Sequence, residues 1–431
     1  MPNPTLLFFI IVYLAGVPLI TSINGLSLIL LKISAVGPTY HAAFTAGLLI
    51  VGLLSRNVEK SWRLIVVLFG IFGVLVAVQL GAGFSNVSDL GTLYKWFMPL
   101  LLFAVYERWS YLRDPVARRR LVALFQFLPA AYGTLITISA LVYVTTGFEA
   151  TTFEKGTHRF SGFAFAFNPT INALFLCAYV NFLLEPVGLL RMVAYCGSFT
   201  LLKSKTAVAY VAMALMAPFR TRWRQARRWG VVRVLVTVPL VIMTLTLGAM
   251  ETLKALDPTG HVKSSEGRIT VERVGQLLVE GRLDWLIFYA TDLPQWSPLN
   301  LAIGNGLNID RRLLNPVWWA TLGSAKYESA ALTKYDKTPE LDLLGPLDLF
   351  GLIGLACYVA VFYGYPLRRI RLPHFRTFYV FMIFLSIVAG HLVNNPQTTT
   401  LLVFFIFLLR DYVPVGSSPG SGPRRPLPVT S

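Results

Sequence analysis

Charged residues are scarce in this sequence: Asp, Glu, Lys and Arg together make up 14% of its 431 residues. Soluble domains carry about 25% of these residues. Hydrophobic residues account for 55% of the chain, and the mean hydropathy is +0.61. So much apolar material does not fit one water-exposed domain, but it fits many segments of the roughly 20 residues that cross a bilayer. The composition therefore excludes a soluble globular protein and indicates a polytopic membrane protein.

Cysteines and nucleotide-binding signals are also rare. Cys177, Cys196 and Cys357 all lie in apolar stretches, and no CxxC spacing occurs. Neither a disulfide framework nor a zinc site is predicted. No glycine-rich phosphate loop lies between a strand and a helix, and no sizeable cytoplasmic domain is visible, which disfavours a nucleotide-sugar donor. We predict that the protein uses no cofactor and no metal.

Apolar windows predict an all-α membrane bundle of about 12 transmembrane helices. The first window is apolar from the start and lacks a charged n-region or cleavage site, so it is interpreted as a span and not as a signal peptide. The windows lie near residues 5–33, 38–54, 64–82, 92–107, 121–144, 169–185, 187–202, 206–219, 231–251, 346–367, 376–393 and 398–410.

The net charge of +17 is explained by membrane topology. If the N-terminus is cytoplasmic, 22 of the 38 Lys and Arg residues fall in cytoplasmic segments, while the opposite loops at 34–39, 83–91 and 394–397 contain none. This is the bias of the positive-inside rule. It places both termini in the cytoplasm and argues against nucleic acid as the partner of the basic residues.

Two outer segments are longer than a connection requires. With them the chain divides into helices 1–9 over residues 1–251, including an outer loop at 145–168; a large periplasmic loop at 252–345; helices 10–12 over 346–410; and a Pro/Gly/Ser-rich tail at 411–431 that we predict to be disordered. The large loop holds 11 of the 21 acidic residues. A loop of this length is rarely structureless, so helices forming a cap on the outer face are expected.

Lysines at the outer ends of apolar windows are candidate ligands for an anionic group. Lys95 begins the fourth window, and Lys203 and Lys205 flank a polar break between two short apolar segments. Short interrupted segments at membrane depth often line a cavity. The alternative is that these side chains extend to lipid phosphates, as is favoured for Lys32 near the end of the first window.

The outer loops add further candidates: Arg159, next to His158, and Arg268. A guanidinium can bind two phosphate oxygens at once, although an isolated loop arginine is more often simply solvated. Before the tenth window come Glu340, Asp342 and Asp348. Asp348 would enter the membrane and needs a polar partner. Glu340 and Asp342 could act as a general base or could cap a helix N-terminus, and both interpretations remain open.

Six short motifs follow one another along the chain: Arg159-Phe-Ser-Gly162, Asn168-Pro169, Leu202-Lys-Ser-Lys205-Thr206, Gly267-Arg268, Gly304-Asn-Gly306 and Glu340 to Gly354. In this order they resemble motifs of the Wzy polysaccharide polymerases and WaaL O-antigen ligases. The resemblance also includes the span layout with its two outer loops and covers about residues 90–360. The ligases have a His followed by an amide residue where this chain has Glu340 and Leu341, so the chain is more similar to the polymerase branch.

The resemblance implies a GT-C-like, metal-independent, inverting glycosyltransferase of the bacterial inner membrane, with its active site facing the periplasm. It would polymerise oligosaccharide repeat units linked to undecaprenyl pyrophosphate, which serve as donor and acceptor, and a chain-length regulator is a further candidate partner. Arg159 and Arg268, with Lys205, would stabilise the leaving pyrophosphate. Glu340 would deprotonate or orient the acceptor hydroxyl. The remaining candidates for substrate binding are His158, Lys95, Lys203, Asp342 and Asp348.

Two other functions remain open from the sequence. An O-antigen ligase would transfer the glycan to lipid A core, not to another repeat unit. A transporter or flippase of lipid-linked sugars would carry its functional charges near the midplane of an inverted repeat. In this chain the candidate charges gather at the outer face.

Overall fold

In a computed structural model, the chain is described over residues 4–31, 36–54, 62–85, 90–107, 111–148, 160, 162–163, 167–185, 187–201, 293–306, 343–370, 379 and 396–411. Helices dominate this part of the chain, and it contains no strand. The predicted all-α class is therefore confirmed for the described residues. The predicted windows at 206–219, 231–251 and 376–393 lie outside them, apart from Tyr379, which is helical.

The described helices are labelled here in chain order. Two of them end in π-helical turns, at Tyr179–Leu184 after α6 and at Val359–Gly364 after α9. The α-helices are α1 (Pro4–Leu31), α2 (Val36–Leu53), α3 (Trp62–Gly81), α4 (Leu90–Tyr106), α5 (Pro115–Thr146), α6 (Phe167–Ala178), α7 (Leu189–Thr200), α8 (Pro298–Ile303), α9 (Leu344–Tyr358), α10 (Tyr365–Arg369) and α11 (Pro396–Asp411).

Four helical segments are long and apolar enough to cross a membrane: Leu7–Leu28, Trp62–Gly81, Pro115–Thr146 and Leu344–Arg369. The helices Thr39–Leu53 and Trp96–Tyr106 are apolar but shorter. The four long segments coincide with the first, third, fifth and tenth predicted windows, because a run of about 20 apolar residues forms a helix in a bilayer to satisfy its own backbone.

Helix α5 is the longest described helix, and its two ends carry clear local signals. The side chain of Asp114 accepts a hydrogen bond from the backbone N–H of Val116, and Pro115 opens the helix. Gly147 ends it with a φ of 70°, a left-handed conformation that glycine adopts without steric cost. The helix starts six residues before the predicted window at 121–144 because this cap extends it through a stretch of arginines.

Helix α11 forms the centre of the described bundle. Every side chain from Leu401 to Leu409 is at most 2% exposed. The helix packs against α1, α4, α6 and α10, and its aromatic rings contact Phe103 of α4 and Phe125 of α5. An apolar helix buried on all sides lies inside the protein and not at the lipid boundary.

Polar groups from four segments meet at one end of the bundle, here called the basic end. Arg410 donates to the backbone oxygen of Glu107 at 2.5 Å and to the hydroxyl of Tyr365 at 3.1 Å, and it pairs with Asp411 at 2.6 Å. Arg113 lies 3.9 Å from Asp411. The end of α4, the start of α5, α10 and the end of α11 therefore share one side of the molecule.

Candidate functional site

Helix α9 is discontinuous at Gly351. This residue has φ 64° and ψ −161°, so the backbone leaves the helical conformation in the middle of the segment. A Cβ atom built at Gly351 would lie 2.5 Å from the backbone N of Gly304 and 2.5 Å from the carbonyl carbon of Ala302. Only glycine combines this φ with such a close approach of two backbones.

Glycines also bring the segment after α8 into contact with two neighbours. Gly304 and Gly306 have φ values of 84° and 83°. A Cβ at Gly304 would lie 2.5 Å from the backbone of Leu349, and one at Gly306 would lie 2.7 Å from the carbonyl carbon of Phe84. Three segments that are distant in sequence therefore pack backbone against backbone: the end of α3, residues 303–306 and the first half of α9.

Gln79 of α3 is the hydrogen-bonding centre of this contact. Its Nε2 group donates to the carbonyl oxygens of Ile303, at 2.6 Å, and Leu349, at 2.7 Å, and its Oε1 atom accepts from Ser85 at 3.1 Å. The Gln79 side chain is 0% exposed. At membrane depth, a backbone carbonyl outside a regular helix needs a hydrogen-bond donor within the protein. Gln79 is such a donor for the carbonyls of Ile303 and Leu349.

Asp348 lies beside this centre and is only 3% exposed. Its Oδ1 atom accepts a hydrogen bond from Nδ2 of Asn305 at 2.9 Å, and its backbone oxygen accepts from the backbone N–H of Asn305 at 2.7 Å. The Oδ1 atom of Asn305 in turn accepts from Asn300 at 2.9 Å. The sequence required a polar partner for Asp348, and Asn305 is that partner. The group formed by Gln79, Ser85, Asn305 and Asp348 is called the Gln79 junction.

A second contact joins the loop before α6 to the end of α7. The backbone N–H of Phe160 donates to the carbonyl oxygen of Leu201 at 3.2 Å. Gly162 packs on α5, where a Cβ would lie 2.9 Å from that of Leu135, and its carbonyl accepts from the hydroxyl of Ser22 in α1. The segments that follow Arg159 and precede Lys203 in the sequence are therefore adjacent.

Most of the predicted site residues lie outside the described part of the chain: Arg159, His158, Lys203, Lys205, Arg268, Glu340 and Asp342. The backbone of Lys95 lies in the second turn of α4, but its side chain is not described. Asp348 is the one predicted site residue whose side chain is placed, at the Gln79 junction.

Gln79 and Asn305 were not singled out from the sequence, although a signal for the first was present. Gln79 is a lone amide in an apolar run from Leu64 to Leu80. A polar side chain within a membrane helix usually faces the protein interior and has a specific role. Asn305 carries no such signal, because an asparagine between two glycines is ordinary in a turn.

The junction provides a rigid, solvent-shielded carboxylate at the point where a loop enters the bundle. Asp348 lies six residues after Asp342 and eight after Glu340, and its amide partner holds its orientation. Within the described residues, no group of three His, Cys, Asp or Glu side chains is arranged to hold a metal ion. No protein-family model matches the chain, and no curated protein sequence matches it.

Proposed function

We propose that this protein is a membrane glycosyltransferase that polymerises oligosaccharide repeat units linked to undecaprenyl pyrophosphate, at the periplasmic face of the inner membrane. The observation that carries the proposal is the contact between Gly304-Asn-Gly306 and the Asp348 to Gly351 segment. Both segments belong to the resemblance to the polymerases. They lie more than 40 residues apart in the sequence and pack around one buried amide, Gln79.

The second contact supports the same proposal for the basic residues. Phe160 follows Arg159, and Leu201 precedes Lys203 by two positions, and these two backbones are hydrogen-bonded. Cationic groups from separate segments can then approach one anionic leaving group. Such groups stabilise charge that develops in the transition state when they are already in position.

The two ends of the bundle support an outer location for the site. Gln79 donates to the carbonyl oxygen of Leu349 in α9, and the helical segment that begins with α9 continues to Tyr365, which accepts a hydrogen bond from Arg410 at the basic end. Tyr365 follows Leu349 by 16 residues, so the Gln79 junction lies roughly 20 Å from the basic end. The basic end corresponds to loops rich in Lys and Arg, which the positive-inside rule assigns to the cytoplasm.

In this reaction, the acceptor hydroxyl attacks the anomeric carbon of the donor glycan, and the bond from that carbon to the phosphate oxygen breaks. Glu340 takes the hydroxyl proton, and the carrier leaves as a pyrophosphate stabilised by Arg159, Lys205 and Arg268. Attack from the face opposite the leaving group inverts the configuration. The reaction needs no metal, because the guanidinium and ammonium groups offset the charge of the pyrophosphate.

The proposal is tested in cells by electrophoresis of the surface polysaccharide. Deletion of the gene should reduce the ladder to single capped units. Separate replacement of Arg159, Lys205, Arg268 and Glu340 by Ala should shorten the polymer while the protein still inserts. Arg119→Ala is the control, because Arg119 is exposed in the first turns of α5, at the basic end. Normal chains from all four variants would contradict the proposal.

The same experiment separates the alternatives. Complete loss of capped lipid A core would identify a ligase. Accumulation of lipid-linked units that cannot be labelled from outside the cell would identify a flippase. The proposal includes a GT-C-like arrangement of about 12 helices with an outer cap. The polymer ladder tests the activity of the protein.

A further inference from the structure

The large loop at 252–345 contains one long run without charge. The loop holds 11 acidic and ten basic residues, but none of them lies between Asp292 and Asp310. The 17 residues between these two aspartates form the longest uncharged run in the loop. Charged groups are costly in hydrocarbon, so this run is compatible with a membrane interior, whereas the rest of the loop is suited to water.

The described part of this run, residues 293–306, is fixed to two membrane-spanning helices. The carbonyl oxygen of Ile303 accepts a hydrogen bond from Gln79 of α3 at 2.6 Å. The backbone of Gly304 approaches Gly351 of α9 so closely that a Cβ atom on Gly351 would lie 2.5 Å from its N atom. Both helices belong to segments that are long and apolar enough to cross a membrane. The run is therefore attached to the spans themselves.

The attachment lies at membrane depth. The Gln79 junction is roughly 20 Å from the basic end, whose charged groups mark one edge of the hydrocarbon layer. This layer is about 30 Å thick, so the junction lies about 10 Å inside the opposite edge. Helix α8 has six residues and is about 9 Å long, so it stays within this depth at any tilt.

Two leucines of α8 are exposed at this depth. Leu299 is 45% exposed and Leu301 is 37% exposed. In α9, Leu352 is 48% exposed and follows Gly351, whose backbone approaches Ala302. The exposed leucines of α8 therefore lie beside an exposed apolar surface of a spanning helix. Such a surface on a membrane span faces lipid.

The polar side chains of α8 bond within the protein. The hydroxyl of Ser297 accepts from the backbone N–H of Asn300 at 3.1 Å and donates to its Oδ1 atom at 2.6 Å. The Nδ2 group of Asn300 donates to Asn305 at 2.9 Å, and that of Asn305 donates to Asp348 at 2.9 Å. Hydrocarbon offers no hydrogen bonds, so polar groups placed in it need such internal partners.

We propose that α8 inserts into the membrane leaflet opposite the basic end, with Leu299 and Leu301 in contact with the acyl chains of phospholipids. Trp296, which is half-buried and precedes the helix, lies toward the headgroups, where tryptophan is enriched in membrane proteins. The insertion anchors the large loop to the membrane between its two ends. The proposal does not depend on glycosyl transfer, and either can fail without the other.

The first test uses the wild-type chain in nanodiscs that contain a phospholipid with a diazirine in its acyl chain. On irradiation the diazirine loses N₂, and the carbene that remains inserts into a neighbouring C–H bond. Proteolysis and mass spectrometry then locate the lipid adducts. We expect adducts on the peptide that contains Leu299 and Leu301, and their loss when the diazirine lipid is omitted.

Two other helices provide internal controls in the same sample. Val74 of α3 is 64% exposed, so its peptide should also carry lipid. The stretch from Leu401 to Leu409 in α11 is just as apolar but at most 2% exposed, so its peptide should carry none. The comparison with α11 separates contact with lipid from apolar composition alone.

A second test measures the environment of a nitroxide spin label at Leu299→Cys and Leu301→Cys. Oxygen concentrates in hydrocarbon, whereas a polar nickel chelate stays in water. The ratio of the collision rates with oxygen and with the chelate should be at least about fivefold higher at both positions than at a site in water, because hydrocarbon excludes polar solutes. Spectra of the wild type, which has three cysteines, are subtracted.

The site in water is Thr146→Cys. Thr146 is exposed and ends α5, whose 32 residues extend about 48 Å from the basic end, well beyond a hydrocarbon layer of about 30 Å. Val74→Cys is the site in lipid, and the labels in α8 should match it.

Lipid adducts on the peptide of α8, together with collision ratios like that of Val74→Cys, would support the proposal. Ratios like that of Thr146→Cys at both leucine positions would place α8 in water. Low collision rates with both reagents would mean that protein covers the leucines. Either of these results, or the absence of adducts on this peptide in a sample where the Val74 peptide is labelled, would overturn the proposal.

Discussion

Gln79 illustrates how much one side chain can contribute in an apolar segment. Its amide donates to the carbonyl oxygens of Ile303 and Leu349, so Gln79→Leu would remove this donor from both buried acceptors. Each buried group that loses its partner costs about 1–3 kcal/mol, so the expected loss for the two is about 2–6 kcal/mol in the free energy of unfolding. Chemical denaturation in a single detergent measures it.

The control for Gln79 is Gln126→Leu in α5. Gln126 is half-buried and makes one long side-chain contact, 3.5 Å to the oxygen of Glu185. Its replacement should cost less than about 1 kcal/mol. Equal losses in the two variants would show that the bonds of Gln79 to α9 and to residue 303 contribute nothing specific.

Gly351 supports the same junction through its backbone. In Gly351→Ala, a Cβ would have to fit 2.5 Å from the backbone of Gly304 at a φ of 64°. We expect a loss of at least about 2 kcal/mol in the free energy of unfolding, because both the strain and the clash must be relieved.

The control for Gly351 is Gly73→Ala in α3, since nothing lies within 4 Å of the added methyl. That change should stabilise the helix by about 0.5–1 kcal/mol. The same denaturation assay compares the two, and similar effects would contradict the proposed close approach.

At the scale of the element, the start of α5 depends on an N-cap that is visible in the sequence as Asp114 followed by Pro115. Asp114 accepts from the backbone N–H of Val116 at 3.1 Å, and Asp114→Ala should destabilise the protein by about 0.5–2 kcal/mol. Asp114→Asn retains an acceptor oxygen and should lose only a small part of this. Both are measured as changes in the denaturation midpoint, and an Asn variant as weak as the Ala variant would argue against capping.

The elements also show where apolar patterning stops being informative. The apolar window at 346–367 correctly predicts the helical segment Leu344–Arg369, but the patterning does not indicate the break at Gly351. The break depends on where the backbone of residues 302–304 lies, and that segment comes from a distant part of the chain.

At the scale of the whole molecule, the charge pattern makes a prediction about orientation. Cysteines introduced as Arg113→Cys, at the basic end, and Ala82→Cys, in the exposed turn after α3, should lie on opposite sides of the membrane. A membrane-impermeant maleimide should label Ala82→Cys in intact cells and Arg113→Cys only after permeabilisation. The wild type is the control, because its labelling measures the background from the three native cysteines, Cys177, Cys196 and Cys357. Labelling of both variants from outside would refute the positive-inside assignment.

The sequence by itself determined the helical class and the positions of the described apolar segments, because a bilayer requires long apolar runs that satisfy their own hydrogen bonds. It also identified Asp348 as a group in need of a partner. Only the tertiary structure decided that Asn305 is this partner and that Gln79 bonds the carbonyl oxygens of Ile303 and Leu349. These are contacts between segments far apart in the chain, and their geometry depends on packing that no local pattern records.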